Sequence, residues 1–200
     1  MHGAGSGPWI FEPWSCSFER WRVELADLQA GLDVAEASMA DYAGVVVERA
    51  TAHAPRPLVL CGWSLGGLVV LMTAERLRPD LVVLLEPSPP AEVQGSDPGL
   101  PLVFGTFDPE GAYGPFPEGV PARPESALAR AERKRGISVP SLSCRSVVVY
   151  GQEFPEDRSR AIAALYGSET LEFPELAHWG LILDGRIPGA LASTIARLSD

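Results

Sequence analysis

Three short segments of the chain are apolar at nearly every position: PLVLCGW (Pro57–Trp63), LVVLLE within Asp80–Pro90, and SVVVY within Arg145–Glu153. Runs that do not alternate with polar residues mark strands covered on both faces. Between them lie stretches with helical spacing, at Ser64–Arg78 and about Asp157–Tyr166. ETLEFP (Glu169–Pro174) reads as a short fourth strand, WRVELAD (Trp21–Asp27) as a further one, and Ala37–His53 as a helix on the next crossover. The tail IPGALASTIARL reads as a closing helix. Strands alternating with helices predict an α/β fold, a mostly parallel sheet built from βαβ units and flanked by helices on both faces.

One stretch breaks this rhythm. From Pro87 to Pro140 the chain is rich in Pro, Gly and aromatic residues, and it ends in a charged helical segment, PESALARAERKRG. A connection this long is expected to be functional or disordered. The chain is therefore expected to be a single domain over residues 1–200, with a short Pro/Gly-rich cap inserted at about 91–140. The basic cluster Arg130, Arg133, Lys134 and Arg135 reads as a solvated helix face.

Composition narrows the class. A chain of 200 residues, 46% of them hydrophobic, can bury one sizeable core. The formal net charge of −10 argues against nucleic acid or an anionic membrane as the main partner. No apolar run reaches the ~20 residues needed to cross a bilayer, and the first residues lack the basic start and apolar core of a secretory signal. Cys16, Cys61 and Cys144 are odd in number and have no metal-like spacing, which fits free thiols in a reducing compartment. A cytoplasmic protein is the expectation.

CGWSLGG (Cys61–Gly67) carries the chemistry. It is a G-x-S-x-G pattern lying between an apolar strand and an apolar helix, the context that makes a nucleophile elbow. Ser64 would sit on a sharp strand-to-helix turn, and Gly62 and Gly66 would let strand and helix approach closely around it. The helix start beneath it supplies positive potential for an oxyanion. The competing reading is an ordinary strand-to-helix turn with a serine N-cap.

With this motif in that place the chain resembles the α/β-hydrolase family, whose fold is a three-layer sandwich. HGAGSGPW near the N-terminus is similar to the family's His-Gly loop, which lends a backbone N–H to the oxyanion hole. The resemblance implies Ala4 and Leu65 as the two donors, with His2 structural. In the family a central strand leads into that loop; here only Met1 precedes it. The expectation is that the coding frame continues upstream with an apolar strand, or else that Trp21–Asp27 pairs directly with Pro57–Trp63. FPELAHWG places His178 where the family carries its base, while His53 reads as a surface histidine near a helix end.

The acid of the triad has three candidates. The family's usual turn follows the SVVVYG strand, where this chain has GQEFPED, with Phe154 in the expected aspartate position. Glu153 is the nearest carboxylate and the preferred one, with Asp157 further round the turn. A second family arrangement puts the acid one strand earlier, where Glu86 ends an apolar strand. A carboxylate there is unusual unless it has a partner.

The resemblance implies a serine hydrolase that cleaves a small carboxylic ester, thioester or related acyl substrate through an acyl-Ser64 intermediate. It implies no metal and no organic cofactor, and a small-molecule acyl compound as the partner. A binding protein that holds a ligand in the same pocket without turnover is the alternative. Trp63 and Trp179 flank the proposed nucleophile and base, as pocket lining or as core. Phe107, Tyr113 and Phe116 are candidates for a lid. Cys61 reads as a small buried hydrophobe in its strand.

Overall fold

The apolar runs form the parallel sheet that their pattern predicts. The computed structural model describes residues 1–53 and 56–199. After a 3₁₀ segment (Pro8–Phe18) come α1 (Met39–His53), β1 (Val59–Trp63), α2 (Leu65–Leu77) and β2 (Leu81–Leu85). The long connection folds as α3 (Ala91–Gln94), β3 (Thr106–Phe107), α4 (Pro109–Tyr113), β4 (Glu125–Ser126) and α5 (Ala127–Arg135). Then follow β5 (Arg145–Tyr150), a π-helical turn (Pro155–Arg160), α6 (Ala161–Tyr166), β6 (Glu169–Glu172), α7 (Gly180–Leu183) and α8 (Arg186–Ser199). The main sheet has the order β1-β2-β5-β6, all parallel, and β3 pairs antiparallel with β4.

Side chains alternate along each strand, so the sheet separates two apolar clusters. On one face Leu60, Leu84 and Val148 pack with Tyr42, Leu68 and Ile162 of α1, α2 and α6. On the other, Val83, Leu85 and Val149 pack with Phe11, Trp14 and Leu191. Fully burying a leucine such as Leu84 contributes about 1.5–3 kcal/mol, so both faces of the strands stabilise the fold. Parallel strands share a direction, and their C-terminal ends therefore open on one edge, where the site is built. Among the described residues no helix is long and apolar enough to cross a membrane.

The edge of the sheet departs from expectation. Trp21–Asp27 forms no strand and does not pair with β1. Its alternation comes from charges at the surface, where Arg22 pairs with Glu24, while Leu25 packs on the outer cluster. β1 ends the strand order, and Met1 lies against its outer side. The Met1 ammonium donates to the Cys61 carbonyl at 2.6 Å, and the Trp63 amide donates to the Met1 carbonyl at 3.1 Å. That is the hydrogen-bond pattern of one parallel bridge, opposite Gly62. Beside it lies an apolar cavity of about 240 Å³, bordered by Trp21, Leu25, Val59, Cys61 and Leu191.

The basic cluster of α5 is also not a uniformly solvated face. Lys134 is exposed. Arg130, however, lies over the rings of Phe107 and Tyr113 at 4.8 and 5.3 Å. Arg133 donates to Ser88 Oγ at 2.8 Å and to the Tyr113 hydroxyl at 3.1 Å, and Arg135 donates to the Leu100 carbonyl. Residues of the preceding connection hold these guanidinium groups, Arg130 by stacking on aromatic rings and Arg133 and Arg135 by hydrogen bonding.

Candidate active site

Ser64 joins β1 to α2 with φ 54° and ψ −119°, a conformation that costs a non-glycine residue free energy and persists only where its surroundings enforce it. They do so through the backbone. The Ser64 amide donates to the Leu85 carbonyl at 3.0 Å, and its carbonyl accepts from Gly67 at 3.0 Å and Ser88 at 2.8 Å. Two glycines make the close approach possible. A Cβ on Gly62 would lie 2.3 Å from the Gly66 carbonyl oxygen, and one on Gly66 would lie 2.5 Å from the His2 and Met1 oxygens. The Ser64 side chain caps nothing in α2, unlike the serine N-cap of the competing reading.

Glu86 follows the last residue of β2, fully buried and with φ 36°. Its amide donates to the Val149 carbonyl at 2.8 Å, and its Oε1 accepts the Gly151 N–H at 3.0 Å. Oε2 lies 2.6 Å from His178 Nδ1. A carboxylate only accepts, so Nδ1 carries a proton, which in the neutral imidazole leaves the lone pair on Nε2. The His178 ring stacks on Trp63, with centroids 4.7 Å apart, and Trp63 is the residue before Ser64. Glu86 and His178 thus meet beside the elbow.

The structure does not bring the preferred acid, Glu153, to the imidazole. Its Oε1 accepts the backbone N–H of His178 at 2.9 Å, so it holds the loop and not the ring. It lies three residues past the end of β5, next to Gln152, whose amide is tied to the Leu176 carbonyl at 2.9 Å. Asp157 is exposed on the Pro155–Arg160 turn. The α1 helix ends at His53, whose side chain lies outside the described residues.

The His-Gly loop packs directly against the elbow. A Cβ on Gly3 would come within 3.2 Å of Ser64 Cβ and 2.6 Å of the Trp63 ring. The Gly3 carbonyl accepts from three donors: His2 Nδ1 at 2.9 Å, Ser6 Oγ at 2.9 Å and the Ser6 amide at 3.3 Å. That carbonyl shares a planar trans peptide with the Ala4 N–H, so fixing one points the other the opposite way. His2 is in turn fixed at Nε2, which accepts the Leu28 amide and an Arg123 N–H, each at 3.0 Å. Burial pushes the His2 imidazole down from its ordinary pKa, which favours this neutral form. Leu65 is the first residue of α2, where an N–H has no acceptor within the helix. Among the described residues the Ala4 amide has no acceptor either.

Aromatic rings roof this edge. Trp179 packs on Trp63 at 4.7 Å and on Phe116 at 4.6 Å, which links the long connection between β2 and β5 to the His178 loop. Tyr113 and Phe107 meet edge-on at 5.8 Å, with Tyr113 half exposed. Cys61 is a free thiol, and burial pushes it up to about 11. Pattern reading missed Glu125, Arg123 and Asp27, which surround the loop. Nothing in PARPES sets Arg123 and Glu125 apart from ordinary loop polarity, and nothing in WRVELAD sets Asp27 apart.

Residues 1–193 match the sequence profile described as the Alpha/beta hydrolase family. Among curated proteins no sequence matches significantly. Solved structures with the same fold include polyneuridine aldehyde esterase, at 17% identity and TM-score 0.67, covering 98% of this chain and 96% of that one. A lipase-esterase related protein from Clostridium acetobutylicum aligns at 17% identity and TM-score 0.67, covering 99% and 92%. The type II thioesterase BorB of the borrelidin biosynthetic cluster aligns at 17% identity and TM-score 0.68, covering 99% and 88%. At these identities the likeness is one of fold.

Proposed function

Because the chain belongs to the alpha/beta hydrolase family, we propose that it is a serine hydrolase, acting on a small carboxylic ester, thioester or related acyl compound. The observation that carries this reading is the His178–Glu86 pair, 2.6 Å from Nδ1 to Oε2, stacked on the residue that precedes a strained Ser64. Such an arrangement gives a serine hydroxyl a base and the base an orienting anion. The esterases and thioesterase that share the fold are consistent with it.

In this mechanism His178 Nε2 takes the proton as Ser64 Oγ attacks the acyl carbon. Glu86 keeps the imidazole in the Nδ1–H tautomer and balances the positive charge that forms. The Ala4 and Leu65 amides receive the oxyanion of the tetrahedral intermediate, and the His178 proton then leaves with the alcohol or thiol. Water, activated by the same imidazole, hydrolyses the acyl-Ser64 ester. Glu86 thereby takes the place expected for Glu153, which serves the loop backbone. Hydrolysis of p-nitrophenyl esters of increasing acyl length tests the reading and its pocket. Turnover of at least the shorter esters is expected, and Ser64→Ala should lose it by several orders of magnitude. A folded protein with no turnover, or a Ser64→Ala variant above about a tenth of wild-type activity, would overturn it.

A further inference from the structure

One buried carboxylate takes no part in the chemistry described above. Glu125, at the start of β4, is 1% exposed, and no cation pairs with it among the described residues. Its Oε1 accepts the Ser126 amide at 3.0 Å, Gln29 Nε2 at 3.3 Å and the Tyr42 hydroxyl. Its Oε2 accepts the Gly5 amide at 2.9 Å. Burial, and then the neighbouring carboxylate, push the Tyr42 phenol well above its ordinary pKa, so it remains a donor. Four donors are what a buried carboxylate requires in place of water.

Gly5 adjoins Ala4. It lies in the left-handed region at φ 72°, and a Cβ there would run into Pro109 at 2.3 Å. The cap grips it from both sides, because the Arg123 amide donates to the Gly5 carbonyl at 2.8 Å while Glu125 takes the Gly5 N–H. Arg123 Nε also donates to the Ser6 carbonyl at 2.8 Å, and its guanidinium pairs with Asp27 at 2.5 Å. The peptides on either side of Ala4 are therefore both pinned. Gly3–Ala4 is fixed through the Gly3 carbonyl, and Ala4–Gly5 through the Glu125 carboxylate.

We propose that Glu125 is a positioning residue for catalysis, which sets the direction of the Ala4 N–H by holding the peptide on its far side. The proposal rests on the reading of Ala4 and Leu65 as the oxyanion donors. A donor aimed before the reaction stabilises charge without reorganising as it forms. The insertion would thus contribute to the rate from beneath the site, besides covering it.

The test separates positioning from folding. Glu125→Gln puts an amide N–H₂ among groups that are all donors, so at least one hydrogen bond is lost. It should lower kcat for p-nitrophenyl acetate by about 10–100-fold, less than the full loss of an oxyanion donor, and leave KM within about twofold. Phenylboronic acid, which forms a tetrahedral anion on the serine, should bind more weakly by a similar factor. Tyr42→Phe removes a different donor from the same carboxylate and should keep kcat within about threefold. If Glu125→Gln does not fold, Glu125→Asp, which keeps the charge but shortens the reach, should show the same split. An active wild type whose Glu125 variants keep kcat and boronate affinity overturns this role alone. So do losses in both the Glu125 and Tyr42 variants that merely follow melting temperature. A wild type inert to ester and boronate overturns the hydrolase reading, and this role with it.

Discussion

His178 Nδ1 and Glu86 Oε2 meet at 2.6 Å across 92 residues of chain. Glu86 is held there by its own backbone, with φ 36° and an amide bound to Val149, and by the Gly151 N–H on its other oxygen. Glu153 approaches the same histidine but takes its main-chain N–H. The two glutamates make opposite predictions on substitution. Glu86→Gln should lower kcat/KM for an ester by about 10³–10⁴, as expected when an imidazole loses its orienting carboxylate. Glu153→Gln should cost less than about tenfold. Steady-state kinetics on the two folded variants decides, and a crippled Glu153→Gln beside a near-normal Glu86→Gln would reverse the assignment.

The elbow should be intolerant of one methyl group where α1 accepts one. Gly66→Ala places Cβ 2.5 Å from two carbonyl oxygens, whereas Cβ at Gly44, within α1, meets nothing within 4 Å. Gly66→Ala is expected to destabilise by about 1–3 kcal/mol or more, and Gly44→Ala to stabilise by up to about 1 kcal/mol through helix propensity. Thermal melts should therefore shift in opposite directions. Equal shifts would contradict the close packing of the His-Gly loop on α2.

Buried His2 predicts a stability that weakens with acid. Its folded pKa lies below the ordinary value because burial disfavours the charged ring. Between the unfolded value near ~6.5 and the lower folded one, the unfolded chain binds the extra proton. Stability is then fully present above about pH 6.5 and falls as pH drops below it, by at most about 1.4 kcal/mol per pH unit for this one group. Urea unfolding between pH 7.5 and 5 should show that slope, and His2→Asn, though less stable at pH 7.5, should show a shallower one. Identical slopes would mean that His2 takes up its proton without loss of structure.

Much of this was legible from local pattern. β1, β2 and β5 announce themselves because strands buried on both faces leave no polar positions, and the Ser64 elbow because two glycines, a serine and an apolar helix are all near neighbours in the chain. The reading failed where the deciding contact was distant. Glu153 and Glu86 both follow strand ends, and it is the strand order and the Gly151 amide that bring the Glu86 carboxylate, and not that of Glu153, against the imidazole; its one local signal was a charge closing an apolar run. Trp21–Asp27 has the alternation of a strand, yet alternation cannot supply a ladder partner. Arg130 and Arg133 look solvated until Tyr113, 17 and 20 residues earlier, folds against them. Glu125 carries no local signal, since its contact with the His-Gly loop is with Gly5, 120 residues earlier.

The most direct test of Ser64 as an activated nucleophile is the site and rate of its reaction with a fluorophosphonate, read by intact mass and peptide mapping. A single adduct on Ser64 is expected, formed much more slowly in His178→Ala, in which no base remains to take the hydroxyl proton. Folded wild-type protein left unmodified at Ser64, or modified equally fast without His178, would contradict the hydrolase mechanism. Such a result would favour a pocket that binds its ligand without turning it over.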